Sequence, residues 1–265
     1  MKKIKGVQLI LFDLDGTLLH EDKSINMSII ELLKDKKIPF TFISGRTFQM
    51  MQDLLELFDV HLPYVTNNGA NIFLGNQCIY EKCIELKELM SIIQILRTYN
   101  ISFLAYSNTK VFCEGEQLEL LKFKKRIEDK CEIVSEFKDE EIRRSNIFKI
   151  VIVKSTSELF FDAYNEINTL CKNSRCVQSE DAVYTINHCD ISKGEATQWV
   201  LDYLKVNKEK VLAFGDNYND VSMFKSVGFS VAMNNSVKEV KNQADYVTLS
   251  NDEDGVAWFI KKYVE

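Results

Sequence analysis

Several features are scarce or missing in this chain of 265 residues. It has two prolines and three histidines, no cysteine pair with CxxC spacing, and no run of about 18 uncharged apolar residues, the length that a membrane helix needs. The sequence therefore predicts neither a membrane span, nor a zinc knuckle, nor a small secreted disulfide scaffold. We expect no export signal, because the apolar run after the basic N-terminal residues reaches Asp13 within the length of one strand.

Charge and cysteine content narrow the type of partner and the compartment. The formal net charge of −6 at pH 7 leaves no basic excess for the phosphates of a nucleic acid. Seven cysteines, an odd number, indicate reduced thiols and a cytoplasmic location. With 46% apolar residues the chain can build a substantial core. We expect a monomer or a weak homo-oligomer whose partner is a small molecule, with no nucleic acid and no membrane bound.

Strand-like and helix-like segments alternate in the two end portions of the chain. The predicted strands are 7–12, 38–43, 64–66 and 211–214, and the predicted helices are 26–37, 48–58 and 193–204. Asn26 is the expected N-cap of the first helix, and the run from Asn67 to Ala70 is a turn signal. Apolar strands that alternate with amphipathic helices are typical of an α/β fold with a Rossmann-like parallel sheet.

The middle of the chain has a different pattern. Its predicted helices are 86–99 and 159–171, and its predicted strands are 101–106, 147–153 and 183–187. This mixture predicts an α+β domain, residues 83–189, inserted into a core domain of residues 1–82 and 190–265. The basic run Lys122, Lys124, Lys125 and Arg126 has helical spacing, and we interpret it as a solvated helix face.

Asp13 and Asp15 stand where the first apolar strand ends, in the run DLDGT. In open parallel sheets ligands bind beyond the carboxyl ends of the strands. Two carboxylates at this place can divide labour, one as a nucleophile and the other as a general acid and base. A DxDG string can equally be a strand-ending turn, so other residues must support the catalytic interpretation.

Further polar residues follow the same logic. Ser44 ends the second strand, Lys193 begins a helix, and Asp216 and Asp220 follow the strand 211–214. Each alone can be a turn former, a capping residue or a solvated charge. Their order on successive strand ends instead predicts one phosphate site, in which Ser44 and Lys193 stabilise the phosphoryl oxygens.

A phosphate site of this kind needs positive charge. A carboxylate that attacks a phosphate dianion meets a repulsion of roughly 4 kcal/mol per charge pair at about 4 Å and an effective dielectric constant of about 20. Mg²⁺ bound to oxygens of Asp13, Asp15, through its carbonyl, and Asp216 would supply counter-charge. Lys193 would add a second positive centre.

Four motifs now resemble those of a known family. The runs DLDGTL from Asp13, ISGR with Ser44, SKGEA with Lys193 and GDNYND from Gly215 are similar, in order and spacing, to motifs one to four of the haloacid dehalogenase-like hydrolases. The run NNGA, the long insert and the closing NDEDGVAWFI resemble the Cof-type, or IIB, branch, which carries a C2 cap. The resemblance extends over nearly the whole chain.

This resemblance implies a magnesium-dependent phosphatase of small phosphorylated metabolites, often sugar phosphates, with the insert as substrate-selecting cap. It implies an aspartyl-phosphate on Asp13, with Asp15 as acid and base. The implied phosphate-binding residues are Ser44, Lys193 and Asn219, the implied metal residues are Asp13, Asp15, Asp216 and Asp220, and the residues lining the cleft are Gly45, Arg46, Asn68 and Gly69.

Two departures and two alternatives remain. Ser44 replaces the family's commoner threonine but keeps the hydroxyl donor. The proline that often precedes the motif-three lysine is missing. His188, just before this position, could reach the substrate, but a hinge or buried histidine is the favoured interpretation. Phosphoryl transfer within one sugar, as in phosphomutases that share this cap, is one alternative. Binding of a phosphorylated ligand without turnover is the other, and the complete set of motif residues argues against it.

Overall fold

The structure is a computed structural model that describes residues 3–116, 120, 132–135, 137–154, 159–178 and 182–265. The basic run 122–126 lies outside these residues. The chain divides into two compact units. We call Met1–Tyr80 with Ser192–Glu265 the core unit, and Glu81–Ile191 the insert unit.

The strands and helices with described bounds are numbered here along the chain. The strands are β1 (Leu9–Phe12), β2 (Phe40–Phe42), β3 (Tyr64–Thr66), β4 (Asn71–Leu74), β5 (Gln77–Glu81), β6 (Phe103–Tyr106), β7 (Lys110–Glu114), β8 (Glu132–Val134), β9 (Lys149–Val153), β10 (Ser174–Gln178), β11 (Val183–His188), β12 (Val211–Gly215), β13 (Phe229–Ala232) and β14 (Tyr246–Val247). The helices are α1 (Ser28–Lys36), α2 (Phe48–Phe58), α3 (Leu86–Thr98), α4 (Asp139–Arg144), α5 (Leu159–Leu170), α6 (Lys193–Leu204), α7 (Val221–Phe224), α8 (Lys238–Lys241) and α9 (Gly255–Tyr263).

The core unit contains a five-stranded parallel sheet in the order β14-β13-β12-β1-β2. Every residue of β1 is fully buried. Phe12 belongs to a hydrophobic cluster with helices α1, α2 and α9, whereas Leu11 belongs to a second cluster with α6, α7 and α8. A strand covered on both faces needs apolar residues on both faces, and this explains the unbroken apolar run. The predicted α/β class is confirmed.

The element boundaries agree closely with the sequence pattern. Helices α2 and α6 begin and end at the predicted residues. Helix α1 begins at Ser28 with Met27 as its N-cap residue, so the predicted N-cap Asn26 is wrong by one position, although Asn26 Oδ1 accepts from Ser28 N at 3.0 Å. The helix ends at Lys36 because Lys37 is left-handed with φ 54°. Strand β2 is shorter than predicted and starts at Phe40. A short 3-10 turn occupies Asn67–Gly69, in agreement with the turn signal.

The insert unit is built on a six-stranded sheet in the order β10-β11-β9-β6-β7-β8. Its pairs are antiparallel except for the parallel pair of β7 and β8. Helices α3, α4 and α5 contribute apolar residues to one cluster with alternate residues of the sheet, among them Phe103, Ile150 and Ile186. This is the α+β arrangement that the mixed pattern predicts.

Membrane-spanning segments were sought among the described residues. No described helix has both the length and the apolar character that crossing a bilayer requires.

Phe259, on helix α9, tests the packing of the core unit on one face of its parallel sheet. Its side chain is fully buried, and its ring centre lies 5.6 Å from those of Phe214 and Tyr246. We expect Phe259→Ala to lower the free energy of unfolding by about 3–5 kcal/mol, because it removes apolar contacts and leaves a cavity. Urea denaturation measures this loss. The matched control Leu57→Ala, at a half-exposed side chain, should cost less than about 1 kcal/mol.

Candidate active site

The sheet order brings three polar residues to one edge of the core unit. Strand β1 lies between β12 and β2, so that Phe12 pairs with Phe214 on one side and Phe42 on the other. The hydrogen-bond ladder continues past the strand end, since Asp13 N donates to Phe214 O at 3.0 Å. Asp13, Ser44 and Asp216 therefore emerge at the carboxyl ends of neighbouring strands, as the sequence predicts.

Lys193 connects this edge to helix α6. It is the first residue of the helix, after Ser192, whose Oγ caps the helix by accepting from Glu195 N at 3.1 Å. Its side chain is 1% exposed. The ammonium group donates to Asp13 Oδ1 at 2.5 Å and to Asp220 Oδ1 at 2.6 Å. One buried cation thus holds two buried carboxylates, the arrangement that makes burial of such charges tolerable.

The electrostatics of this cluster show an excess of negative charge. Burial raises the pKa of Asp13 to about 8, although Lys193 acts in the opposite direction, and Asp220 and Asp216 raise it further. Burial and the neighbouring Asp220 raise the pKa of Asp216 to about 6. Burial alone would lower the pKa of Lys193, but Asp13 and Asp220 outweigh it and raise that pKa, so the ammonium group stays charged. When all three carboxyl groups are ionised, they outnumber the single ammonium group. This excess of negative charge favours binding of a further cation.

The donor set of the cluster fits a hard divalent cation. Asp13, Asp216 and Asp220 each offer an oxygen within 4.8 Å of the others. Carboxylate oxygens are the ligands that Mg²⁺, Ca²⁺ and Mn²⁺ prefer. Thr17 Oγ1 donates to Asp216 Oδ1 at 2.9 Å and so helps to hold this carboxylate in the cluster. The residues present can therefore hold a divalent metal ion.

Gly16 leaves space for the Asp216 carboxylate because it has no side chain. It has φ +79°, and a Cβ atom at this position would lie 2.4 Å from Asp216 Oδ2. Both the left-handed backbone and the close approach require glycine. The glycine of the DLDGT run therefore shapes the cluster as well as the turn.

Asp15 has different partners from Asp13. Arg46 donates to both of its carboxylate oxygens at 2.8 Å, and Lys23 Nζ lies 2.9 Å from Oδ1. The hydrogen bonds from Arg46 are the main reason that the pKa of Asp15 falls to about 2, against the effect of partial burial. In this arrangement the Asp15 carboxylate can accept a proton but carries none to donate.

The remaining polar residues form a hydrogen-bonded rim. Ser44 is buried and its Oγ accepts from Arg46 N at 3.1 Å, while Asn68 N donates to Ser44 O at 2.9 Å. Asn219 Nδ2 donates to Asn68 Oδ1 at 2.8 Å. Gly45 lies against the same amide, because a Cβ atom there would be 3.0 Å from Asn68 Oδ1. The rim therefore presents hydroxyl and amide groups of the kind that bind phosphate oxygens.

The structure groups most of the predicted site residues. Asp13, Lys193, Asp216 and Asp220 lie in one buried cluster, Ser44, Gly45, Asn68 and Asn219 in the rim, and the side chains of Asp15 and Arg46 in a separate ion pair. His188 is 6% exposed in the insert unit, and its Nδ1 accepts from Asp190 N at 3.1 Å. It is therefore a buried histidine, one of the two interpretations that the sequence favours.

Sequence reasoning missed two contacts at this site. The hydroxyl of Thr17 in the DLDGT run donates to Asp216, and its place in the motif is the signal that could have indicated this contact. Lys23 stands in a polar segment with no motif around it, and only folding brings it to Asp15.

Comparison with known proteins gives matches over nearly the whole chain. The model of the haloacid dehalogenase-like hydrolases matches residues 10–260. The chain is 31% identical to the 5-amino-6-(5-phospho-D-ribitylamino)uracil phosphatase YcsE of Bacillus subtilis, with 97% of this chain and 96% of that protein covered. It is 29% identical to the putative phosphatase MG265 of Mycoplasma genitalium, with 96% and 98% covered.

Solved structures show the same fold. A haloacid dehalogenase-like hydrolase from Bacteroides thetaiotaomicron superimposes with a TM-score of 0.83 at 26% identity, covering 96% of this chain and 98% of that one. TM0651 from Thermotoga maritima superimposes with a TM-score of 0.85 at 24% identity, covering 99% and 97%. The likeness therefore extends over both units of the chain.

Lys193→Met tests how far the cluster depends on its cation. The variant keeps a long apolar side chain but leaves Asp13 and Asp220 buried without a positive partner. We expect the free energy of unfolding to fall by about 3–5 kcal/mol at pH 8 in EDTA, since removing one partner of a buried ion pair is strongly destabilising. Urea denaturation measures the loss, and the exposed Lys225→Met is the control. Equal stability of the two variants would contradict this account of the cluster.

Proposed function

The chain belongs to the haloacid dehalogenase-like hydrolase family, and we propose that it is a Mg²⁺-dependent phosphatase of small phosphorylated metabolites, sugar phosphates foremost, which acts through an aspartyl-phosphate. The family predicted from the four motifs is confirmed. Two of its relatives are named as phosphatases, one of them as a putative phosphatase. One observation carries the proposal: the buried Asp13 carboxylate lies at the end of β1, 2.5 Å from the ammonium group of Lys193.

Asp13 is the proposed nucleophile. Its free oxygen forms the new bond to phosphorus while the bond from phosphorus to the leaving-group oxygen breaks. Lys193 offsets negative charge on the nucleophile and on the phosphoryl oxygens, because it lies between Asp13 and Asp220. Water then attacks phosphorus, which releases inorganic phosphate and regenerates the Asp13 carboxylate.

Asp15 is the proposed acid and base. It donates a proton to the leaving oxygen in the first step and takes one from the attacking water in the second. The hydrogen bonds from Arg46 are the main cause of its pKa of about 2, so proton donation requires them to loosen, while Lys23 keeps the carboxylate in place. Arg46 and Lys23 therefore set both the direction and the protonation of this carboxylate.

The proposed metal residues are Asp13, Asp15, through its carbonyl, Asp216 and Asp220. Asp220 has a supporting part in this set, because Oδ1 accepts from Lys193 and Oδ2 accepts from the N–H groups of Asp216 and Asn217 at 2.9 and 3.0 Å. A bound Mg²⁺ would neutralise the charge that gathers between the nucleophile and the phosphate. The remaining proposed phosphate-binding groups are the rim residues Ser44, Gly45, Asn68 and Asn219, together with Arg46.

Substrate choice is assigned to the insert. We take residues 83–189 as the cap of a core formed by 1–82 and 190–265, near the division into two compact units. The Bacillus subtilis relative YcsE is named for a phosphate ester of a ribityl chain, and this supports sugar and polyol phosphates as the first substrates to test. Free thiols at Cys171, Cys176 and Cys189 support a cytoplasmic location for this activity.

Asp13→Asn tests the nucleophile. The amide cannot form the phosphoryl intermediate, so we expect phosphate release from a panel of sugar and polyol phosphates to fall at least about 10³-fold. The melting temperature should not fall, because the change removes one buried negative charge while Lys193 keeps its contact with Asp220. The control is Asp202→Asn on the exposed face of α6. An unchanged rate in Asp13→Asn would exclude the mechanism, and formation of an isomeric sugar phosphate would assign phosphoryl transfer instead.

Gly16→Ala tests the metal site against a glycine with the same backbone requirement. Gly16 and Gly75 both have positive φ, so alanine at either should cost about 1–2 kcal/mol. Only at Gly16 would the methyl group strike Asp216, since nothing lies within 4 Å at Gly75.

Mg²⁺ at about 100 times its dissociation constant should stabilise the native protein and Gly75→Ala by about 2.7 kcal/mol, and Gly16→Ala much less. Thermal denaturation with and without Mg²⁺ measures this difference. EDTA should abolish phosphate release by the native protein. Full activity after EDTA treatment would contradict the metal requirement.

A further inference from the structure

The segment that carries Lys23 is a tight loop, residues 20–26, between β1 and α1. His20 N donates to Ser24 O and Lys23 N donates to His20 O, both at 3.0 Å. Lys23 has φ 68°, a left-handed conformation that is uncommon for lysine. From this position its ammonium group reaches Asp15 Oδ1 at 2.9 Å.

The contact between Lys23 and Asp15 needs support from elsewhere. The side chain of Lys23 is 59% exposed and that of Asp15 is 44% exposed. An exposed ion pair formed by a flexible lysine is weak, because solvent screens it and because the long side chain loses conformational entropy. The pair can hold a defined geometry only if the backbone of the loop is fixed.

Asp254, far away in the sequence, supplies that fixation. Its Oδ1 lies 3.0 Å from His20 Nε2, and its Oδ2 accepts from Asn26 Nδ2 at 2.6 Å. These contacts clamp the two ends of the loop, on either side of Lys23. Two neighbours add to the attachment: Asn251 Nδ2 donates to Leu19 O at 2.9 Å, and Asp252 Oδ1 accepts from Glu21 N at 2.9 Å.

The ordinary role of an aspartate at this position is to cap a helix. Asp254 immediately precedes α9, yet its side chain makes no capping hydrogen bond to that helix. Both oxygens instead reach the 20–26 loop. The residue also has φ 54°, a conformation that aspartate tolerates better than most residues. Its side chain therefore serves a contact between distant segments, which helix capping does not explain.

We propose that Asp254 is a positioning residue for the reaction: by clamping the 20–26 loop it holds Lys23 against Asp15, and so sets the direction of that carboxylate. The inference rests on the proposed function, because it requires Asp15 to act in the chemistry. It gives a role to the NDEDG run, which the phosphate site itself leaves unused.

A double-mutant cycle tests the proposal. Asp254→Asn retains the left-handed backbone and weakens the clamp, and Lys23→Met removes the cation. We expect each to lower kcat about tenfold with KM within about twofold, because misplacing a catalytic group slows the chemical step. The double variant should be no slower than Lys23→Met, since Asp254 acts through Lys23. Multiplying losses, or an unchanged kcat in folded Asp254→Asn, would overturn the proposal.

Glu253→Gln is the matched control. This neighbouring carboxylate accepts from Ser250 N and Oγ in its own turn, so kcat should stay within about twofold of the native value. Hydrogen exchange of the 20–26 amides should accelerate in Asp254→Asn and not in Glu253→Gln. If Asp254→Asn does not fold, His20→Ala opens the clamp from the other side, and His20→Gln, which keeps a donor, should restore part of kcat.

The outcomes separate this inference from the proposed function. A native protein that releases no phosphate, or an Asp13→Asn variant that keeps its rate, defeats the proposed function and the inference with it. Native activity that Asp13→Asn abolishes and Asp254→Asn leaves unchanged defeats the inference alone.

Discussion

The buried ammonium group of Lys193 is the contact on which the site depends. It joins Asp13, 180 positions earlier in the chain, to Asp220, 27 positions later. Without this cation, two buried carboxylates, one after β1 and one after β12, would be costly to keep charged. With it, the end of β1 can present the Asp13 carboxylate, the proposed nucleophile, in a buried position. Ser192 caps helix α6 and so fixes the backbone position from which the Lys193 side chain extends.

The same cluster remains short of positive charge after Lys193 is counted. Burial raises the pKa values of Asp13 and Asp216, and the neighbouring Asp220 raises them as well. A divalent cation relieves the excess, and that cation together with Lys193 can then receive a phosphate dianion. The close approach of Gly16 to Asp216 fits the proposed arrangement, in which a metal ion and the nucleophile share one small volume.

Asp13 and Asp15 show how two identical side chains acquire different chemistry. Burial raises the pKa of Asp13, whereas hydrogen bonds from Arg46 lower the pKa of Asp15, although the two are separated by one residue. Environments that push two pKa values apart are a familiar way to divide labour between carboxylates. In the proposed mechanism this division extends beyond the motif residues, since Lys23 contacts Asp15 and Asp254 contacts the loop that carries Lys23.

The carboxyl ends of the main strands of the parallel sheet and the polar residues placed there can be predicted from the sequence. Central strands of a parallel sheet are covered on both faces, so they appear in the sequence as apolar runs. Helix α6 begins at Lys193 as its pattern predicts, because capping and periodicity are local properties of the sequence. Which of these groups meet depends on the tertiary structure. No local pattern indicates that Lys23 contacts Asp15, and the contacts of Asp254 join it to His20 and Asn26, more than 200 positions earlier in the chain. Such pairings follow from chain topology and packing, which local patterns of hydrophobicity and capping do not encode.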